Sequence, residues 1–269
     1  MADLFKPEIC YDFIPLTLEE IHKAYKNNEI ITGYVEEIYP TERYISVRLH
    51  QDLFAVLPYS EVSIYENEYV DSEDYKAARI LKGKNIRMKV TKIQGENVYV
   101  SRRKSMMEAL SYLKNCDCVV SHVYYITKNC ACADIGHGIV GYLPISEVAV
   151  SHINSITNYI ERGTILKLKL LNFNEQHTSY VSYHKALPKT NVKVGSLVNC
   201  DITYPVDDIP TGYFALINPT LCGIVDKILY CPYLSYGDRI QCVVVGKSKS
   251  GLKLRFLKML HKKASKVSH

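Results

Sequence analysis

The chain repeats itself, and the repeat limits its fold more than any other feature. "VLPYSEV" (Val56–Val62) recurs as "YLPISEV" (Tyr142–Val148), and "VYVSRRK" (Val98–Lys104) recurs as "SYVSYHK" (Ser179–Lys185). The offsets are 86 and 81 residues. A fainter third copy, "GYFALINPTLCGIVDKIL" (Gly212–Leu229), lies over "CACADIGHGIVGYLPISEV" at an offset of 82. The 269 residues therefore divide into an N-terminal arm and helix (1–27), three units (28–106, 107–188 and 189–260) and a basic tail (261–269).

Each unit reads as a set of short strands. "EIITGYVEEIY", "VVSHVYYI" and "SLVNCDITY" alternate with a period of two and are rich in the Tyr, Val and Ile that strands favour. Each unit closes with another such run: "NVYVS", "SYVSY" or "GLKLRF". Helical signals are few. Thr17-Leu-Glu-Glu20 is a capping box ahead of "IHKAYKN". "EDYKAARI" and "KSMMEALSYLK" have helical spacing, and the second joins units one and two. Five strands with one helical insertion in about 80 residues describe an OB-type barrel. A unit that small is marginal alone, so three in series are expected to support one another. The predicted fold class is all-β: three tandem OB-fold, five-stranded antiparallel barrels, with a short N-terminal helix and linker helices.

Composition narrows the functional classes. Hydrophobic residues are 47% and charged residues 23%, an ordinary globular balance. No run of 18 apolar residues occurs, so no transmembrane helix and no membrane partner are expected. The opening "MADLFKPEIC" lacks a basic-then-apolar signal pattern. Nine cysteines is an odd number and suits reduced thiols better than a disulfide framework, so the expected location is cytoplasmic. The net charge of +5 is unevenly spread: residues 1–110 balance at −3, residues 111–190 at +2 and residues 191–269 at +6. A basic C-terminal end suits a phosphate backbone or serves as a solvated tail.

Period-two alternation assigns faces. Ile31, Val35, Val119, Val123, Val198 and Ile202 are expected inward, which turns Tyr34, His122 and Tyr124 outward. Tyr44, Arg48 and Phe214 share the outward parity on the second strands, as do Tyr99, Tyr180, Lys253 and Arg255 on the last. Outward aromatics beside cations can form a platform on which bases stack; tyrosine also simply suits a half-exposed sheet. Tyr34, Tyr99 and Arg48 are read together as one binding face. "GKSKSGLKLRFLK" invites a phosphate-loop reading, but its Gly-x4-Gly runs into Leu252 before Lys253 and its flanks are strands. A β-turn offering Lys247 and Lys249 to phosphates, with Lys253 and Arg255 behind it, is the preferred reading.

Cys116-Asp-Cys118 and Cys130-Ala-Cys132 fall on the first and second strands of unit two. Paired as a hairpin, the four thiolates could hold zinc; equally, small side chains fill strands well. No metal or cofactor is expected, with these four as the only candidates. Cys10, Cys200, Cys222, Cys231 and Cys242 read as packing residues. No catalytic motif is present, so no enzyme is expected.

Three motifs together resemble the S1 RNA-binding domain family. "GYFALIN" resembles its Gly-x-Phe-Val-x-Leu stretch, "GYLPISEV" its Gly-Phe-x-His-x-Ser-Glu stretch and "VYVSRRK", which carries Arg103, its Leu-Ser-x-Arg ending. The opener "TLEEIHKAYKNNEIITGYV" and the three-unit plan resemble short bacterial homologues of ribosomal protein S1 over residues 17–258. The resemblance implies single-stranded RNA or mRNA as partner, bound on one barrel face in the context of translation on the small ribosomal subunit. Family members carry aromatics on the second and third strands. Phe214 holds the second-strand position in unit three, where unit two has Cys132 and unit one Ser46. Tyr142 holds the third-strand position in unit two, against Val56 and Ile224 elsewhere. The family's histidine is replaced by Pro58, Pro144 and Asp226, and its last-strand arginine falls at Asn97, Thr178 and Gly251. No unit carries the complete set.

Two readings remain open. In one, a monomeric, non-catalytic protein tracks single-stranded RNA through three linked barrels. In the other, the barrels form a protein-interaction scaffold, with the acidic first unit docking a basic protein of the small ribosomal subunit.

Overall fold

A computed structural model describes residues 5–65, 70–205, 212–226, 233–248 and 251–262. The chain forms three closed five-stranded barrels in series, so the fold is all-β with tandem OB-like barrels. Among the described residues, no helix is long and apolar enough to cross a membrane.

The arm leads into helix α1 (Leu18–Asn27), which starts where the capping box predicts. Thr17 Oγ1 accepts from the Glu20 N–H, and the Glu20 carboxylate accepts from the Thr17 N–H, so two otherwise orphaned donors are satisfied. The first barrel follows: β1 (Ile30–Tyr39), β2 (Tyr44–Arg48), β3 (Phe54–Pro58), the short helix α2 (Lys76–Arg79), β4 (Asn85–Gln94) and β5 (Asn97–Ser101). Its strand order is β1-β2-β3-β5-β4, with β4 closing back on β1. All pairs are antiparallel except β3 with β5. Val35, Ile45, Val47, Leu57, Met88 and Val98 fill the interior and are fully buried, each contributing roughly 1.5–3 kcal/mol of apolar burial. Gly33 sits where the wall closes on itself. A Cβ there would lie 2.1 Å from Met88 Cε and 2.5 Å from Val47 Cγ1.

Helix α3 (Arg102–Leu113), N-capped by Ser101, links the first barrel to the second. Its Met106, Ala109, Leu110 and Leu113 belong to the second core. That barrel comprises β6 (Cys118–Ile126), β7 (Cys130–Asp134), β8 (Val140–Pro144), β9 (Ile165–Phe173) and β10 (Ser179–Ser182). The third comprises β11 (Leu197–Pro205), β12 (Gly212–Asn218), β13 (Leu221–Asp226), β14 (Arg239–Ser248) and β15 (Gly251–His261). Both repeat the first barrel's connectivity, with parallel closures between β8 and β10 and between β13 and β15.

The barrels touch. Leu216 and Cys222 of the third pack onto the second core, and the Val150 N–H donates to the Pro219 carbonyl at 2.9 Å. A buried clasp joins the first two. The Glu8 carboxylate of the arm takes two bonds from the Arg102 guanidinium, at 2.7 and 2.8 Å. The Glu8 N–H donates to Asp134 at 2.7 Å. His137, fully buried, lies 2.8 Å from Ser105 Oγ and 3.2 Å from the Tyr11 hydroxyl. Alternation does not reveal this clasp, because its residues lie in the arm, a helix, the end of β7 and the turn that follows.

Candidate nucleic-acid interface

Strand register superimposes one outward row on all three barrels. In the first, Ser46 pairs with Val56, Val56 with Tyr99 and Tyr99 with Lys92. In the second, Cys132 pairs with Tyr142, Tyr142 with Tyr180 and Tyr180 with Asn172. In the third, Phe214 pairs with Ile224, Ile224 with Lys253 and Lys253 with Gly246. Directly paired residues share a face, so each row is continuous across four strands.

A bulge extends the row onto the first strand of each barrel at the same place. Register shifts between Val35 and Glu37, Val123 and Tyr125, and Ile202 and Tyr204 bring Glu37, Tyr125 and Tyr204 opposite Ser46, Cys132 and Phe214. One inserted residue exchanges the faces beyond it. Simple alternation therefore selects Tyr124, whereas Tyr125 is the row residue, and it is 53% exposed. Tyr124 does point out of its barrel, but into a cleft against the first barrel that also takes in Tyr34 and His122. Burial pushes the Tyr124 phenol well above its ordinary range and pushes the His122 imidazole down, the latter helped by Lys84 and Arg162.

The second barrel's row is the most aromatic. Tyr142 and Tyr180 meet edge to face, 5.5 Å apart, with Tyr125 beyond Cys132. The first barrel's row offers Tyr99 with the Lys92 ammonium 5.9 Å from its ring. Tyr44, on the same face of β2, stacks on Tyr39 at 4.7 Å. The third barrel's row joins Phe214 and Ile224 to Lys253, and the exposed Arg255 follows Lys253 along β15.

Other expected site residues lie apart. Tyr34 and Arg48 do come together, with the guanidinium 4.9 Å from the Tyr34 ring and 5.5 Å from Phe13 of the arm. Tyr99 does not join them. It lies on β5 opposite Lys92 of β4, whereas Tyr34 lies opposite Asn85, seven residues away along that strand. Arg103 lies in the first turn of α3, in a separate cleft with Lys89 and Lys104. The Lys247 ammonium donates to Asn191 Oδ1 at 3.0 Å. Lys249, Cys231 and tail residues 263–269 lie outside the described residues.

The four candidate zinc thiols do not converge. Cys118 starts β6 and pairs with Lys169, whereas Cys132 lies opposite Tyr125 near the other end of that strand. Seven residues of strand separate the two pairs along β6, roughly 23 Å at about 3.3 Å per residue. Among the described residues, no group of three or more His, Cys, Asp or Glu is placed to hold a metal ion. Cys200 and Cys242 are buried neighbours in the third core, their sulfurs 3.8 Å apart.

No protein-family model and no curated protein matches the chain. Solved structures to which it is similar include a chain of the a/eIF2alpha-aDim2p-rRNA complex from Pyrococcus horikoshii OT3, at 24% identity over 25% of this chain and 42% of that one, with a TM-score of 0.24. GSP13 from Bacillus subtilis is another, at 19% identity over 28% of this chain and 61% of that one, with a TM-score of 0.25. A multidomain protein with nucleic acid binding domains from Streptococcus pneumoniae TIGR4 is similar over 86% of this chain and 73% of that one, at 10% identity and a TM-score of 0.26.

Proposed function

We propose that this chain is a non-catalytic protein that binds single-stranded RNA along the outward rows of its barrels, with messenger RNA on the small ribosomal subunit as its setting. The observation that carries the reading is the second-barrel row, where Tyr125, Tyr142 and Tyr180 share one face around Cys132. Outward rings on one face, exposed at Tyr125 and Tyr180 and half-buried at Tyr142, suit successive bases, and each stacked base contributes roughly 1–3 kcal/mol with little sequence preference. The third barrel adds Lys253 and Arg255 in the most basic part of the chain, a composition suited to phosphates. Weak sites on linked modules combine through effective concentrations of roughly mM.

The first barrel supports a second reading for itself. Its row begins with Glu37, which is ion-paired to Lys82, and continues with Ser46 and Val56. Its Arg48 is already engaged by Tyr34 and Phe13. With a balance of −3 over residues 1–110, this barrel suits a basic protein partner better than RNA.

The test is fluorescence anisotropy with a labelled RNA of about 20 nucleotides, long enough for more than one barrel, at two salt concentrations. Salt-sensitive binding that weakens in Tyr142→Ala supports the proposal. Absence of binding at low salt overturns it and leaves the scaffold reading.

A further inference from the structure

The cleft between the first and second barrels is not used by the outward rows. It has a volume of about 510 Å³, within the range of small-molecule sites. The arm and first barrel form one wall and the second barrel the other. Three tyrosines line it, Tyr34, Tyr65 and Tyr124, together with Ile80, Lys84 and His122. We propose that this cleft binds a nucleoside 5′-phosphate, with the base inward against the tyrosines and the phosphate outward at Lys84.

The lining is predominantly apolar, and much of it is aromatic ring. Such walls favour a flat, polarisable group over an aliphatic chain, since ring faces stack. Ile80 is 62% exposed at the rim, which leaves an apolar surface that a ligand would cover.

Charge sets the orientation. The inner end closes on the Glu8–Arg102 ion pair and on Asp134, and these are satisfied within the protein. Glu8 holds Arg102 bidentately, and the Asp134 carboxylate accepts the N–H groups of Glu8, Gly136 and Gly138. The inner end therefore offers no unmatched cation to an anion. The cation in the lining outside this clasp is the exposed Lys84. Arg162 is near enough to His122 to lower its pKa together with Lys84. An anionic group thus belongs at the mouth and the planar group inside.

The walls are tied together. The Val140 N–H of the second barrel donates to the Tyr65 hydroxyl of the first at 2.6 Å. Burial raises the Tyr65 phenol to about 12, which keeps it protonated. A site fixed in this way loses little ordering entropy when it binds.

Methyl NMR of Ile80 and Val140 tests the proposal, with AMP, GMP, CMP, UMP and adenosine as probes. At least one nucleotide is expected to give saturable shifts at both methyls. Adenosine is expected to bind about tenfold more weakly than AMP, because it lacks the charge-assisted contact. Lys84→Glu, on the surface, should lower nucleotide affinity at least tenfold, and Ala77→Trp should fill the cleft and abolish binding. Tyr142→Ala and Tyr180→Ala should leave nucleotide binding unchanged, which separates this site from the RNA rows. A 5′-phosphorylated tetranucleotide distinguishes the sources. Binding of AMP alone assigns a free nucleotide, and binding of both assigns the end of a nucleic-acid chain. No saturable shift with any of the four nucleotides, or shifts that survive Ala77→Trp, would overturn the proposal.

Discussion

Tyr142 and Tyr180 face each other across the parallel contact that closes the second barrel, their rings 5.5 Å apart and 81° from coplanar. An edge-to-face pair leaves ring surface available while each ring holds the other in place. If RNA stacks here, Tyr142→Ala and Tyr180→Ala should each weaken binding by roughly 1–3 kcal/mol. The pair shares one contact, so the double variant should lose less than the sum. Anisotropy titration of the three variants checks this; full affinity in the double variant would place the RNA elsewhere.

The Glu8–Arg102 pair should dominate the stability of the joint between the first two barrels. Burial works against the Arg102 charge, but Glu8, with smaller help from Asp134 and Tyr65, outweighs it and raises the guanidinium pKa. Removing one partner leaves the other buried and unpaired, which costs about 3–5 kcal/mol. Arg102→Met should therefore lower the denaturant midpoint sharply, and Glu8→Gln with Arg102→Met should recover part of the loss. Gly138→Ala should act through the same pair. Its Cβ would fall 1.7 Å from an Arg102 nitrogen, at a φ of +80°. Equal stability of Gly138→Ala and the parent would show that the guanidinium moves aside freely.

Asp134 gives the joint a pH dependence. Burial, with the Glu8 carboxylate nearby, pushes its pKa up to about 7, against the pull of three backbone N–H donors. An unfolded aspartate titrates near 3.9. Between about pH 4 and 7 the folded state therefore holds more proton than the unfolded state, and stability falls as pH rises through that window. The full difference amounts to at most about 4 kcal/mol. The carboxyl carbon shift of Asp134 should titrate near neutrality. Titration below pH 4 would mean that the amide donors prevail, and the slope should then vanish.

The three-barrel plan was legible because repeats and alternation both follow from how a strand buries one face. Val35, Val123 and Ile202 were expected inward, and all three are fully buried. Tyr124 is outward, as its parity says, but parity alone does not locate the row where one residue breaks the period. The bulge at Val123–Tyr125 replaces Tyr124 with Tyr125 on the row, and no residue type in "VVSHVYYI" signals that insertion. Parity likewise leaves open whether the four candidate thiols meet. Parity says which face a thiol occupies, but not how far along the hairpin it lies. The clasp was out of reach, because Glu8, Arg102 and Asp134 are far apart in the sequence and meet only where the arm crosses from one barrel to the next.

The aromatic and basic rows should separate in their response to salt. Each phosphate neutralised on a single strand contributes about −0.7 to the slope of log affinity against log salt. Lys253 and Arg255 project outward from β15, alternating with the inward Leu252 and Leu254. Lys253→Ala and Arg255→Ala should therefore each flatten the slope by about 0.7 and weaken binding alike for every sequence. Tyr180→Ala, which removes stacking without charge, should weaken binding and leave the slope unchanged. Anisotropy titrations over a salt series provide both quantities at once. If Tyr180→Ala flattened the slope as much as Lys253→Ala, its loss would be disturbing phosphate contacts rather than a stacked base, and the division of labour between the second and third barrels would fail.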